Sequence, residues 1–187
     1  AWGNEHIPSM LGTLRKKNVR ATFFFDGSWL EKNETLARRI AEDGHELSNH
    51  AYSHPDMAKL GSAEQYRQIA RTEALLKEKL GVRDNKWFAP PSGSYNATTV
   101  RTAARLGLKT VLWTIDTIDW KNPPPERITA KIRRDAGPGS LILMHPTASA
   151  SAALEGLIDA LRSKGIEPGT VSETLSTARV PPVEPTS

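Results

Sequence analysis

Apolar positions recur at helical spacing from the start of the chain: Ile7, Met10, Leu11 and Leu14 fall on one face of a helix over residues 6–17. Asn18 breaks that period. The β-branched and aromatic run Val19 to Phe25 predicts a buried strand, closed by a turn at Asp26-Gly27. A second helix follows, capped by Asn33, with Leu36 and Ile40 facing inward and Gly44 ending it. His45 to Ser48 reads as a short strand, and Ser62-Ala63-Glu64-Gln65 as a capping box opening a long helix. The stripe of that helix is Tyr66, Ile69, Leu76 and Leu80, with Gly81 as its stop. Trp87-Phe88 is the next strand, and Val100, Ala103 and Ala104 mark a helix ended near Gly107. Thr110 to Trp113 is another strand, and Pro123 to Pro125 leads into a helix carrying Ile128 and Ile132. Ser140 to Met144 is the last strand, and Leu154, Ile158 and Leu161 lie on the last long helix, before Gly165.

Strand and helix alternate throughout, which argues a parallel sheet or barrel of the α/β class. The polar clusters fall just after a strand and before a helix, the face where parallel α/β folds bind ligands. Two imidazoles, His50 and His54, stand four residues apart in Asn49-His50-Ala51-Tyr52-Ser53-His54-Pro55, so both rings can serve one spot. Two His and a carboxylate form a common set for a catalytic metal with an open position. Two unrelated surface histidines would carry the same spacing. Asp116, Asp119, Trp120 and His145 stand at other strand ends; a His beside a carboxylate is what general acid catalysis at neutral pH requires. Taken singly, Asp119-Trp120 would equally suit a packing corner, and His145 a loop residue.

Composition narrows the classes. The 187 residues bound one domain. The absence of Cys excludes disulfides and thiol catalysis and leaves a metal only N and O ligands. The net charge of +4, from 25 basic and 21 acidic side chains, favours anionic partners such as acidic wall polymers. No basic run is interleaved with aromatics, which argues against nucleic acid, and no apolar run has the length of a membrane span.

The motif order is more specific. Ala21-Thr22-Phe23-Phe24, Gly44 to His54, Pro90-Pro91-Ser92-Gly93-Ser94-Tyr95-Asn96, Asp116-Thr117-Ile118-Asp119-Trp120 and Leu141-Ile142-Leu143-Met144-His145 resemble the NodB-homology polysaccharide deacetylases, carbohydrate esterase family 4. The resemblance implies a distorted (β/α) barrel over residues 1–179, with its first strand cut off at the N-terminus, and a Pro-rich tail over 180–187. It implies metal-assisted deacetylation of N-acetylated polysaccharide or oligosaccharide, of chitooligosaccharide or peptidoglycan type, by a monomer at the cell envelope or outside the cell. The divalent metal, zinc, would be held by an Asp with His50 and His54. A second Asp would act as base, and His145, backed by Asp116 or Asp119, would protonate the leaving amine. Pro91, Ser92, Tyr95 and Trp120 would bind substrate, the Ser92 N–H meeting the oxyanion and Trp120 walling the acetyl pocket.

The sequence departs from that pattern where the carboxylates should be. Aligning Gly3 with the Gly of the family's first motif puts Ala1 at the base position and Trp2 at the metal-ligand position. Ala89 stands where the family has an Arg that braces the base, and Pro146 follows the last His. The site is therefore expected to be impaired, or rearranged with Asp26, Glu5 or His6 as substitute, or else to have its acidic residues just upstream of Ala1. The alternatives are a non-catalytic glycan-binding or envelope scaffold module, and an esterase acting on O-acetyl xylan.

Overall fold

A computed structural model of the chain describes residues 4–176. Ala1, Trp2 and Gly3, on which the expected loss of the carboxylates rests, and the tail over 180–187 lie outside the described residues. Four parallel strands, β1 (Thr22–Phe25), β2 (Glu46–Asn49), β3 (Trp87–Phe88) and β4 (Lys109–Thr110), pair in chain order. Thr22 aligns with Glu46, Asn49 with Phe88, and Phe88 with Thr110. The chain then leaves this sheet, and β5 (Ile115–Asp116) pairs in parallel with β6 (Ile142–Leu143). Two parallel sheets, with helices between successive strands except at the β4–β5 crossing, give the α/β architecture of a distorted barrel.

The helices are α1 (Ile7–Lys16), α2 (Gly27–Lys32), α3 (Glu34–Glu42), α4 (Ser62–Leu80), α5 (Ala97–Arg105), α6 (Pro125–Asp135), α7 (Ala148–Ser163) and α8 (Val171–Thr174). All four apolar positions expected on α1 are buried. One core is formed by Ile7, Leu11, Phe25, Leu30, Ile40, Leu47 and Leu76; a second, between α6 and α7, by Ile128, Ile132, Ala153, Leu157 and Leu161.

Several sequence expectations change in detail. The first strand spans only Thr22–Phe25, and its first three residues are half-buried. Asp26-Gly27 is no simple turn: Asp26 caps α2, its Oδ1 accepting from the Trp29 N–H at 2.7 Å. Asn33 precedes α3 without capping it, because its amide turns back to the Trp29 carbonyl. The expected box at Ser62 does not form; Gly61 holds the N-cap position of α4 and Gln65 is buried, donating to the Leu60 carbonyl at 2.9 Å. Tyr66 faces outward, the buried face of α4 being Gln65, Ile69, Thr72, Leu75 and Leu76. On α5, Val100 and Ala104 are exposed while Thr99, Thr102 and Ala103 are buried. The strand expected at Thr110 to Trp113 reaches only Thr110, since the following residues cross from one sheet to the other.

Candidate active site

The carboxyl end of β2 builds the first half of the site. Asn49 is fully buried: its Nδ2 donates to the Ile69 carbonyl and to Glu73 Oε1, and its Oδ1 accepts from the Ala51 N–H at 2.8 Å. That last bond closes a turn on which Ala51 takes a left-handed φ of 63°, and His54 follows with φ 58°. Such angles cost a side-chain-bearing residue and persist only where the surroundings hold them. Here the Gly27 and Ser28 N–H groups donate to the Ala51 and Tyr52 carbonyls, both at 2.9 Å. From α4, Gln68 Oε1 accepts from the Tyr52 and Ser53 N–H groups. The loop is pinned from both sides, so the two rings meet edge-to-face with centroids 5.0 Å apart.

His50 Nδ1 donates to the Ala89 carbonyl at 2.7 Å, which fixes the tautomer and leaves the lone pair on Nε2. Burial pushes its pKa down to about 4, against the opposing pull of that carbonyl. Burial also lowers His54. Both rings are thus neutral near pH 7. Glu73, beneath them, is shifted up by burial, while the amides of Asn49 and Asn85 pull it back.

The second half comes from the other sheet. Asp119, with no exposed surface, accepts from His145 twice: Oδ2 from the backbone N–H and Oδ1 from the ring Nδ1, the latter at 2.8 Å. A buried carboxylate gripping one residue at both points fixes the ring and directs Nε2 away from it. Asp116 serves differently, accepting from the Ile118 N–H at 2.8 Å in a local turn. Asp119, then, is the residue placed against His145. The halves converge, since His145 lies close enough to His50 and His54 for its charge to act on both.

The rim carries the other expected residues. Pro91 is buried at the start of a 3-10 turn, and Ser92 is exposed in it at φ 54°. Gly93 has to be glycine: its φ is 68°, and a Cβ there would lie 3.1 Å from the Trp113 ring. Tyr95 and Trp120 are exposed, and the Lys121 ammonium sits 4.9 Å from the Trp120 ring centre. Ala89 is buried against Trp87 and Val111 and contributes its carbonyl.

The donor set does not fit a tightly held resident metal. It offers two imidazoles, and among the described residues no three His, Cys, Asp or Glu side chains form a group that could hold an ion. Of the three substitutes, Asp26 is engaged as a cap by Trp29 N–H and the Ser28 hydroxyl, Glu5 is exposed, and His6 occupies the N-cap position of α1. Sequence reasoning passed over Asn49, Gln68 and Glu73. Asn49 carried one signal, as a polar residue ending a short strand directly before the first His.

Parallel strands that present imidazoles, a buried Asp–His pair and aromatic side chains at their carboxyl ends define an α/β protein with a polar site on that face. The sequence profile of the family Polysaccharide deacetylase matches residues 1–111, and the chain belongs to that family. It is 43% identical to "Uncharacterized protein YlxY" of Bacillus subtilis over 96% of this chain and 56% of that protein. It is 38% identical to a peptidoglycan-N-acetylglucosamine deacetylase of Bacillus cereus, over 84% and 56%. The chain therefore spans about half the length of these relatives. Among solved structures, a CE4 family pseudoenzyme from Bacillus anthracis superposes with a TM-score of 0.91 at 39% identity, over 94% of this chain and 62% of that one. A mutant of that pseudoenzyme with restored enzymatic activity superposes at 0.92.

Proposed function

We propose that the chain binds N-acetylated cell-envelope glycan, of peptidoglycan or chitooligosaccharide type, in a deacetylase-type site whose hydrolysis is impaired. The observation that carries this is the state of the site: a His145–Asp119 pair and a neutral His50/His54 pair are assembled, but among the described residues no carboxylate completes a three-donor metal group with them. Asp26, near enough to act on both rings, is engaged as the cap of α2. The retained residues suit ligand recognition: Tyr95 and Trp120 offer ring faces to a sugar, and His145 Nε2 can exchange a proton with an amide or amine. In the family reading, a divalent ion such as zinc would polarise the acetyl carbonyl; these residues give it two nitrogen donors, too few to retain it. Loss of a general base alone costs about 10² to 10⁴ in rate. Relatives named as peptidoglycan and chitooligosaccharide deacetylases support the substrate class and an envelope or extracellular location.

The test pairs acetate release with binding, using N-acetylglucosamine oligomers. Measurable binding with acetate release at least about a hundredfold below that of a competent deacetylase is expected. Turnover at the competent rate would overturn the impairment, and absence of binding would overturn the ligand. A structural neighbour that is a pseudoenzyme favours the stricter reading, a glycan-binding module with no turnover.

A further inference from the structure

The outer side of the His50/His54 loop forms a second concavity. An open pocket of about 430 Å³ lies against the amino-terminal half of α4, lined by Tyr52, Tyr66, Glu64, Arg67, Gln68 and Arg71. It adjoins the histidine loop, because Tyr52 of that loop and Gln68, which holds it, both line the pocket. Tyr52 stands between the two histidines in sequence, and Gln68 Oε1 takes the Tyr52 and Ser53 N–H groups.

Its chemistry is aromatic and cationic. The Arg71 guanidinium lies 3.5 Å from the centre of the Tyr52 ring, and that of Arg105 lies 5.5 Å from the centre of the Tyr66 ring. Arg67 pairs with Glu64 and Arg71 with Glu31, and the lining itself carries two guanidinium groups against one carboxylate, Glu64. Both pairs are solvent-exposed, a class worth little in water and readily exchanged for another carboxylate. Guanidinium presents a planar fork that matches a carboxylate at two points. An exposed tyrosine face beside such a fork suits a sugar ring that bears, or is linked to, an acid group.

We propose that this pocket is a subsite for a carboxylate carried by the glycan, read by Arg67 and Arg71 with the adjoining sugar against Tyr66. The carboxylate belongs either to an acidic sugar of the chain or to a peptide attached to it. The inference rests on the glycan-binding reading above and names the part of the polymer that neutral N-acetylglucosamine lacks. Because Gln68 tethers the histidine loop, a ligand in this pocket also bears on the ground that positions His54.

Calorimetric titration of the full chain with three probes tests it: an N-acetylglucosamine tetramer, an alternating N-acetylglucosamine–N-acetylmuramic acid tetramer, and a free alanyl-glutamate dipeptide. The acidic tetramer is expected to bind about tenfold more tightly than the neutral one at low salt, with the advantage shrinking as salt rises. In an Arg67→Gln, Arg71→Gln double variant that advantage disappears while neutral binding persists. Equal binding of the two tetramers by the unaltered chain, or a preference that survives in the double variant, overturns the subsite and leaves the glycan reading standing. Binding of neither tetramer removes the glycan reading itself. A dipeptide that competes as strongly as the acidic tetramer assigns the pocket to the peptide carboxylate; one that does not assigns it to the sugar.

Discussion

His50 is held neutral by burial, against the opposing pull of the carbonyl bonded to its Nδ1, and this has a consequence for stability. Its folded pKa, about 4, lies below the unfolded value near 6.5, so the unfolded chain takes up the proton first. Stability therefore falls as pH drops from about 6.5 to about 4, with a ceiling of roughly 3 kcal/mol for this one group. Urea midpoints of the chelator-treated chain should decline over that window, and His50→Gln should flatten the decline; an equally steep curve in the variant would assign the effect elsewhere. Asp119 offers a second test. Asp119→Asn keeps the shape but weakens a fully buried acceptor of two bonds from His145, at a cost of about 1–3 kcal/mol, measurable as a lowered urea midpoint. A variant as stable as the parent would mean that the grip on His145 holds nothing together.

At the level of elements, the six-residue α2 was the hardest to read from the sequence, although much of the site depends on it. Asp26-Gly27 has turn chemistry, and six residues leave too few periods for a pattern to emerge. The structure shows why the pair stands there: Asp26 caps the helix, and Gly27 lets it approach the loop and α4. A Cβ on Gly27 would lie 2.5 Å from Tyr52 Cδ2 and 2.8 Å from Thr72 Oγ1, so Gly27→Ala has to push the histidine loop or α4 outward. A loss of about 1–3 kcal/mol is expected, with amide exchange quickening first at Ala51 and Tyr52; unchanged exchange there would show that the loop is held by α4 alone. Elsewhere legibility followed burial. Ile7, Met10, Leu11 and Leu14 gave α1 almost to its ends, whereas Tyr66 was assigned inward because an aromatic ring in a helical stripe reads as core. The buried face of α4 includes Gln65 and Thr72, polar residues that hydrophobic periodicity does not count. His50, His54 and His145 were legible because strand ends in a parallel fold address one region. Asn49, Gln68 and Glu73 were not, because a buried polar residue announces itself only through its partners.

Across the whole molecule the candidate site draws on both sheets, and the impairment proposed for it is one of charge rather than of shape. The histidine loop comes from β2, the Asp119–His145 pair from the β5–β6 side, and the fold matches a related pseudoenzyme at a TM-score of 0.91. On the family resemblance the base and metal-ligand carboxylates would fall at positions 1 and 2, where Ala1 and Trp2 stand. The double variant Ala1→Asp, Trp2→Asp should therefore take up about one zinc per chain after dialysis, where the parent retains none, and should release acetate from N-acetylglucosamine oligomers. Adding His50→Ala should remove the zinc, and adding His145→Ala should remove acetate release while the zinc stays. That split separates the two halves of the site. Stoichiometric zinc in the unaltered parent would show that some other group already completes the site. A double variant without zinc would show that the two substitutions are insufficient. In the structurally similar pseudoenzyme, a mutant with restored enzymatic activity keeps the fold, at a TM-score of 0.92 to this chain.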